Sequence, residues 1–203
     1  MTSYPRKLLI FVQKVLIKLG LRPLESSHYL ETSKWHLDFI AHLVRVLKPQ
    51  KYLEIGIYRA GLINRLIPLI PEITAVDVDP DSGKFIDSSN NVKFVNLDSQ
   101  KFWKTSPDSY YDLIFIDGNH SREAVLVDFQ GALRSIKAEG IILLHDTYPV
   151  DKEATNPARC DTGYLAIEML GHKTNEFEMM TIPVHPGLTL VRKRARQVPW
   201  SES

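Results

Sequence analysis

Residues 111–147 constrain the fold of this chain more than any other stretch. They contain two short, continuous apolar runs, at positions 113–116 and 141–144. Such runs are typical of strands buried on both faces, as in a parallel sheet. Between the runs, apolar side chains recur at helical spacing, and Gly140 is expected to end the connection before the second strand. These helical positions are Val125, Phe129, Ala132, Leu133 and Ile136.

The predicted helix has a start signal and a polar face. Ser121 can cap its N-terminus and Glu123 lies in the first turn. Arg122, Asp128 and Arg134 fall outside the apolar stripe, so we expect them on the solvent side. The stretch is therefore predicted to form a strand, a helix and a second strand.

The C-terminal ends of these two strands are a candidate functional site. If the strands are neighbours, a right-handed crossover brings both ends to one edge of the sheet. Ligands of open α/β sheets bind at the carboxyl ends of strands. The polar residues expected at this edge are Asp117, Asn119, His120, His145 and Asp146.

The rest of the chain alternates strands and helices, which predicts an α/β fold. We expect a Rossmann-like, doubly wound sheet of seven strands, mostly parallel, with an antiparallel edge and N-terminal helices. A helix is predicted at 33–47, and it ends before Pro49. The other strands are predicted at residues 52–56, 73–77, 92–97, 177–182 and 188–192. The 203 residues suit one main domain, at 33–194, with an N-terminal helix and linker at 1–32 and a tail at 195–203.

Residues 5–19 are basic and apolar, but they do not resemble a targeting or transmembrane segment. Lys14 and Lys18 interrupt the apolar run, and no small-residue cleavage site follows. The run is also too short and too charged to span a bilayer. An amphipathic helix fits better; it could cover the sheet, join a homodimer or make weak contact with a membrane surface. We expect a cytoplasmic protein.

Composition argues against two classes of function. The formal net charge is +1, so nothing in it favours nucleic acid as a partner. Cys160 is the single cysteine, which excludes an internal disulfide, and a bystander thiol is favoured over a nucleophile.

Acids end the first three predicted strands, and this pattern predicts a nucleoside site. Gly56 follows the first strand and lets a ligand approach the backbone. Glu54 lies at the same strand end, Asp77 ends the second strand and Asp98 follows the third. An acid after the second strand suits the two hydroxyls of a ribose. In the run from Gly56 to Gly61, Tyr58 replaces the central glycine of a dinucleotide motif, which disfavours a hydride-transfer enzyme.

Five segments, LEIGIYRAG, AVDVDP, NLDS, YDLIFIDGNHS and GIILLHDT, resemble those of class I S-adenosylmethionine-dependent methyltransferases. The resemblance covers about residues 34–193. It is closest to a branch related to catechol and macrocin O-methyltransferases and to the cephalosporin hydroxylase family. The cofactor-binding residues that it implies are Glu54, Gly56, Tyr58, Asp77, Val78, Asp98, Ser99 and Asp117.

The resemblance also implies catalytic residues and a metal site. In metal-dependent relatives, the positions of Asp117, His145 and Asp146 bind magnesium, and that of His120 can serve as the general base beside Asp117. Magnesium prefers oxygen ligands, so His145 leaves manganese or no metal at all open. A second departure is Ala60, which stands where a glycine is usual.

These features predict a methyltransferase that acts on a hydroxyl of a small molecule, such as a sugar or a secondary metabolite. The acceptor would be chosen by the loop at 148–162 and by the N-terminal helices. Core packing is the alternative role for each of the candidate pocket residues, which are Trp35, His36, Tyr58, Trp103, Tyr148 and Tyr164. The other hypothesis is a catalytically silent protein that binds S-adenosylmethionine and serves as a partner or scaffold.

Overall fold

The computed structural model describes residues 34–172 and 176–194. The chain divides into two compact units, residues 1–36 and 37–203. The amphipathic helix predicted within 1–32 and the tail predicted at 195–203 lie outside the described residues. Within the described part, no helix is long and apolar enough to cross a membrane.

Five α-helices, one 3₁₀ helix and seven strands make up the described part, and the predicted elements are confirmed to within a few residues. The helices are α1 (Trp35–Leu47), α2 (Gly61–Leu66), α3 (Ser99–Trp103), α4 (Arg122–Ser135) and α5 (Gly163–Gly171), with a 3₁₀ helix at Pro80–Phe85. The strands are β1 (Lys51–Ile55), β2 (Glu72–Asp77), β3 (Val92–Asn96), β4 (Tyr111–Ile116), β5 (Ile136–His145), β6 (Phe177–Ile182) and β7 (Leu188–Lys193).

The seven strands form one sheet in the order β3-β2-β1-β4-β5-β7-β6. The first five in this order are parallel, and β7 pairs antiparallel with both β5 and β6. This confirms the predicted mostly parallel sheet with an antiparallel edge. The strand order reverses between β1 and β4, which is where ligands bind in doubly wound sheets.

The boundary between α4 and β5 differs from the prediction. The helix ends at Ser135, and Ile136 already begins β5 instead of closing the helical stripe. Gly140 lies within the strand and does not end a connection. A Cβ at Gly140 would lie 2.6 Å from the Ile136 side chain and 2.9 Å from the Asp112 carbonyl oxygen. The glycine therefore lets the first half of β5 pack closely against its neighbours.

Asp128 is buried, and its predicted place on the solvent face of the helix is wrong. Its side chain accepts a hydrogen bond of 2.8 Å from the indole nitrogen of Trp103. Trp103 packs over Gly131, where a Cβ would lie 2.3 Å from the indole ring. Burial raises the pKa of Asp128. The pair joins α3 to α4 beneath the carboxyl ends of the strands.

Candidate functional site

Gly56 brings the ends of β1 and β4 together. Its φ of +82° is a conformation that side chains with a Cβ rarely adopt. A Cβ on Gly56 would lie 2.3 Å from the Asp117 carbonyl oxygen. The Asp117 amide also donates to the Ile55 carbonyl oxygen at 2.8 Å. The glycine thus allows the two strand ends to meet at the switch point of the sheet.

Asp77 holds the loop that follows β1. One carboxylate oxygen accepts from the backbone amides of Ile57 and Tyr58 at 2.9 and 3.0 Å. The other accepts from the Asp79 amide at 2.9 Å. The loop between β1 and α2 is therefore fixed by the acid that ends β2. Ala60 adopts a left-handed conformation with φ of 53° in this loop, consistent with a position where glycine is usual.

A cavity of about 620 Å³ opens above these strand ends, and we call it the first cavity. Its walls come from the ends of β1, β2, β3 and β4 and from the loop that precedes α5. The lining residues are Ile55, Gly56, Tyr58, Val76, Asp77, Val78, Asp79, Ser82, Leu97, Asp98, Ser99, Asp117, Gly118, Asn119, His120, Pro157, Ala158 and Asp161.

Seven of the eight predicted cofactor-binding residues line the first cavity, and Glu54 does not. Glu54 is 3% exposed and accepts a hydrogen bond of 2.7 Å from the Tyr52 hydroxyl. Burial raises the pKa of Glu54 to about 8, with a further contribution from the charges of Asp117 and Asp77. A tyrosine two residues earlier on the same face of the strand is the sequence signal that could have indicated this pairing.

Asp98 has a structural function and also lines the first cavity. It is the N-cap of α3, and its side chain accepts from the Gln100 amide at 2.9 Å. One of its carboxylate oxygens therefore caps the helix. Ser99 follows it in the same wall, and Val78 and Leu97, which are 70% and 38% exposed, contribute apolar surface nearby.

Four residues at the ends of β4 and β5 form what we call the acid–imidazole cluster: Asp117, His120, His145 and Asp146. The structure thus brings these four predicted residues together at one edge of the sheet. The ring nitrogen Nδ1 of His145 lies 2.8 Å from Oδ1 of Asp117 and 3.5 Å from Oδ2 of Asp146. Nδ1 of His120 lies 3.0 Å from Oδ2 of Asp146, and its Nε2 lies 3.4 Å from Oδ1 of Asp117. Each imidazole therefore bridges the two carboxylates.

His120 is held as an imidazolium. Its Nδ1 also lies 2.6 Å from the Arg159 carbonyl oxygen, which can only accept, so this nitrogen donates. Burial opposes the charge, but the hydrogen bond to Asp117 and the charges of Asp146 and Asp117 outweigh it and raise the pKa of His120 to about 9. The pKa of His120 therefore lies above its ordinary value of about 6.5, and the imidazole is charged at neutral pH, while its role as general base stays a prediction.

His145 and Asp117 also form a charged pair within the cluster. Burial would lower the pKa of His145, but the charge of Asp117 outweighs it and raises this pKa to about 10. Burial would raise the pKa of Asp117, but the charge of His145 and the hydrogen bond from His120 hold it below its ordinary value. Two anions and two cations balance within the cluster.

This balance predicts that the protein loses stability in mild alkali. The histidine pKa values are raised on folding, so their contribution is complete below about pH 6.5 and is lost as the pH rises through about 9 to 10. We expect the free energy of unfolding to fall between pH 7 and pH 10, as the two histidines lose their protons. Urea denaturation at each pH measures it. His120→Gln should reduce the fall in the free energy of unfolding with pH, and His42→Gln, at an exposed position, should leave that fall unchanged. The same fall in His120→Gln as in the unsubstituted protein would contradict a raised pKa for His120.

Cys160 connects the loop before α5 to the cluster. It is fully buried, with its sulfur 3.6 Å from Oδ1 of Asp146 and 3.8 Å from the Pro186 carbonyl oxygen. Burial and the charge of Asp146 raise the pKa of Cys160 to about 12, so the thiol stays uncharged. The thiol therefore has no nucleophilic character, as expected, but it packs against the cluster.

A second cavity, of about 800 Å³, is lined by the residues that follow β5 and by one side of α5. Of the six candidate pocket residues, Tyr148 and Tyr164 line it, Tyr58 lines the first cavity, and Trp103 is buried against α4. Thr147 is 5% exposed, and among the described residues its hydroxyl has no hydrogen-bond partner. The full lining is Thr147, Tyr148, Pro149, Val150, Asp151, Lys152, Thr155, Tyr164, Ile167, Glu168 and Thr181.

Comparison with known proteins gives one family match. A family model described as a methyltransferase domain matches residues 53–147. A search of curated proteins found no match. The matched residues include the strand ends that line the first cavity and all four residues of the acid–imidazole cluster.

Solved structures share the fold at low sequence identity. A methyltransferase from Podospora anserina, bound to S-adenosylhomocysteine, is 16% identical with a TM-score of 0.67 over 96% of this chain and 99% of that one. The O-methyltransferase TomG from Streptomyces achromogenes, in complex with S-adenosylmethionine, is 15% identical with a TM-score of 0.63 over 95% and 92%. An O-methyltransferase from Bacillus cereus, in complex with S-adenosylhomocysteine, is 15% identical with a TM-score of 0.64 over 96% and 94%.

The family match and the shared fold agree with each other and with the predicted class. Residues 53–147 contain most of β1, all of β2 to β4, and β5 with its C-terminal end. This part of the chain matches a methyltransferase domain, and the chain shares its fold with methyltransferases solved with S-adenosylmethionine or S-adenosylhomocysteine.

Proposed function

We propose that this protein transfers the methyl group of S-adenosylmethionine to a hydroxyl of a small molecule. The observation that carries the proposal is the acid–imidazole cluster at the switch point of the sheet, where two of its members, Asp117 and His120, line the first cavity. The first cavity would hold the cofactor and the second the acceptor. Structural neighbours described as O-methyltransferases support this reaction class.

The first cavity suits a nucleoside. A carboxylate has about four acceptor positions, and three of those on Asp77 are taken by backbone amides, so one remains for a ribose hydroxyl. Val78 and Leu97 offer apolar surface to the faces of a purine, beside the polar groups of Asp98 and Ser99. This placement puts the nucleoside over β2 and β3 and the reactive methyl group toward β4.

The second cavity suits the acceptor. Its volume is within the range of about 300–1,000 Å³ that small-molecule sites occupy. Two tyrosine rings would pack against the acceptor, and the unpaired Thr147 hydroxyl could hydrogen-bond to it. Methyl transfer needs the acceptor oxygen, the methyl carbon and the sulfur in line, so the walls act mainly by positioning.

The proton of the acceptor hydroxyl must pass to the protein or to water. With a pKa of about 9, His120 is in its basic form only about 1% of the time at pH 7. As a general base, His120 would therefore work best in mild alkali. At neutral pH, the charged cluster would act chiefly by fixing Asp117 beside the reacting atoms.

A divalent ion fits part of the cluster. Asp117, His120 and Asp146 each offer a ligand atom, and these atoms lie within 4.8 Å of one another. This set contains His120; the predicted ligand His145 also lies within ligand range of Asp117, to which its Nδ1 donates, and its place as a metal ligand stays a prediction. Mixed nitrogen and oxygen donors favour manganese or a similar ion over magnesium. Such an ion would lower the pKa of an acceptor hydroxyl bound to it.

The alternative of a catalytically silent binding protein receives no support from the comparisons. The residues that face the reaction centre, Asp117 and His120, are present and lie together. The expectation that no nucleic acid is a partner, and that of a homodimer, remain predictions. A panel of acceptor compounds tests the silent alternative directly, because a silent protein would bind the cofactor without methyl transfer.

Cofactor binding and turnover test the proposal. S-Adenosylmethionine at a hundred times its Kd should stabilise the protein by about 2.7 kcal/mol, seen as a higher Tm in a thermal-shift assay. Label from methyl-tritiated cofactor should then enter at least one compound in a panel of phenols, sugars and other alcohols. The absence of a shift at millimolar cofactor would contradict the binding claim. A shift without transfer to any compound would favour the silent alternative.

A further inference from the structure

The first cavity contains no lysine or arginine among its described lining residues, but it contains five aspartates. S-Adenosylmethionine carries a primary ammonium group at its amino-acid end, and such a group binds best to a carboxylate. Glu54, the acid predicted for that end, lies outside the cavity and is paired with Tyr52. Another acid must therefore receive the ammonium group.

Four of the five aspartates already accept hydrogen bonds from the protein. Asp77 accepts from three backbone amides. Asp79 and Asp98 each accept from the amide two residues later, at 2.9 Å. Asp117 accepts from His145. These contacts reduce the capacity of each carboxylate for a further cationic partner.

Asp161 is the fifth aspartate and differs from the others. Across residues 34–172 and 176–194, its carboxylate makes no hydrogen bond or ion pair with the protein. Its side chain is half-buried, and its backbone has a φ of 46°. An unpaired, half-buried carboxylate in the wall of a cavity is an acceptor without a donor.

The backbone on both sides of Asp161 is fixed at the end of β4. The Arg159 carbonyl oxygen accepts from His120 at 2.6 Å. The Thr162 hydroxyl accepts from the Arg122 amide at 3.0 Å. Gly163 packs on the His120 carbonyl oxygen, which a Cβ there would approach to 3.0 Å. Asp161 therefore lies on the β4 side of the cavity, opposite the nucleoside end over β2 and β3.

We infer that Asp161 is the binding site for the primary ammonium group at the amino-acid end of the cofactor. The inference rests on the proposed function, because it requires the cofactor to occupy the first cavity with its ribose at Asp77. It assigns to the loop before α5 a part in cofactor binding. The same loop contributes Tyr148 to the second cavity, so it would contact both the cofactor and the acceptor.

Two ligands and one substitution test the inference. S-Adenosylhomocysteine carries the amino-acid end, and 5′-methylthioadenosine lacks it. Asp161→Asn should weaken the binding of S-adenosylhomocysteine about tenfold, because a charged acceptor is lost. The same substitution should change the Kd of 5′-methylthioadenosine less than twofold. Isothermal titration calorimetry with the full chain measures both constants.

A matched control comes from outside both cavities. Asp87 is exposed and lines neither cavity, so Asp87→Asn should leave both constants unchanged. Asparagine tolerates the left-handed conformation of residue 161, so Asp161→Asn should keep the Tm of the unliganded protein. Equal weakening of both ligands, or of neither, would overturn the inference and leave the proposed function intact. Failure of the unsubstituted protein to bind S-adenosylhomocysteine would remove both.

Discussion

Replacing Asp117 by asparagine is expected to slow methyl transfer by at least about 100-fold, the size of effect seen when one preorganised charged or polar group is removed from a reaction centre. Asparagine fills the same volume, and the backbone bond from residue 117 to Ile55 remains. The substitution removes the negative charge to which His145 donates at 2.8 Å and which His120 faces at 3.4 Å. Steady-state kinetics with labelled cofactor measure the loss.

Asp108→Asn is the control for this substitution. Asp108 pairs with Arg134 on the surface, and its loss should leave the rate unchanged. A rate for Asp117→Asn within a few fold of the unsubstituted protein would contradict a place for Asp117 at the reaction centre. Treatment of the unsubstituted protein with EDTA separates two causes of a large loss. If its activity then needs an added divalent ion, Asp117 acts as a metal ligand. If its activity persists without added ion, Asp117 acts through its pairing with the histidines.

Replacing Gly56 by alanine should abolish cofactor binding and destabilise the protein by about 3 kcal/mol. Part of this cost is the left-handed conformation at φ +82°, and part is the overlap of the new methyl group with the Asp117 carbonyl oxygen at 2.3 Å. Relief of that overlap requires β1 and β4 to separate at the switch point, which disrupts the first cavity. Thermal shift with and without S-adenosylhomocysteine measures both effects.

Gly61 provides a matched control on the same loop. A Cβ at Gly61 meets no atom within 4 Å, and the residue begins α2 with an ordinary φ. Gly61→Ala should therefore keep cofactor binding and raise stability by up to about 1 kcal/mol, because alanine favours the helix. Normal binding by Gly56→Ala would show that the loop can rearrange without loss of the site.

The sheet could be predicted because its signals are local. Apolar runs at 113–116 and 141–144 indicate buried strands whatever surrounds them. Parallel strands bring their carboxyl ends to one edge, so Asp117 and Asp146 could be placed together from chain order alone. Gly56 could be assigned to the site for the same reason, since a glycine between a buried strand and a helix indicates close approach.

Two side chains have partners inside the protein that the sequence pattern did not indicate. Asp128 fits the polar face of an amphipathic helix, but Trp103, 25 residues earlier, donates to it in the core. Glu54 lies at a strand end like the acids that line the first cavity, but it accepts from Tyr52, and its place in cofactor binding stays a prediction. The periodicity of apolar residues indicates which face of a helix or strand is apolar. It does not indicate which polar side chain has a hydrogen-bond partner in the core.

The loop at 148–162 was expected to be functional from its length, but its individual residues could not be assigned. Asp161 is one of several acids in a stretch without periodicity. Its position depends on the contacts of Arg159 and Thr162 with the start of α4. Contacts of this kind, some 40 residues apart in the chain, have no signal in a single sequence.

The position of β7 between β5 and β6 also has a consequence for folding during synthesis. Antiparallel pairing joins Leu143 to Leu190 and Thr181 to Thr189, so β7 supplies the backbone partners of both of its neighbours. Native pairing on this side of the sheet can begin only after Lys193, the last residue of β7, has left the ribosome. Until then, β5 keeps an open apolar edge of the kind that pairs with other chains. Chaperone demand on this protein should therefore be greatest late in translation, and removal of β7 should leave β6 without a partner strand and one edge of β5 open.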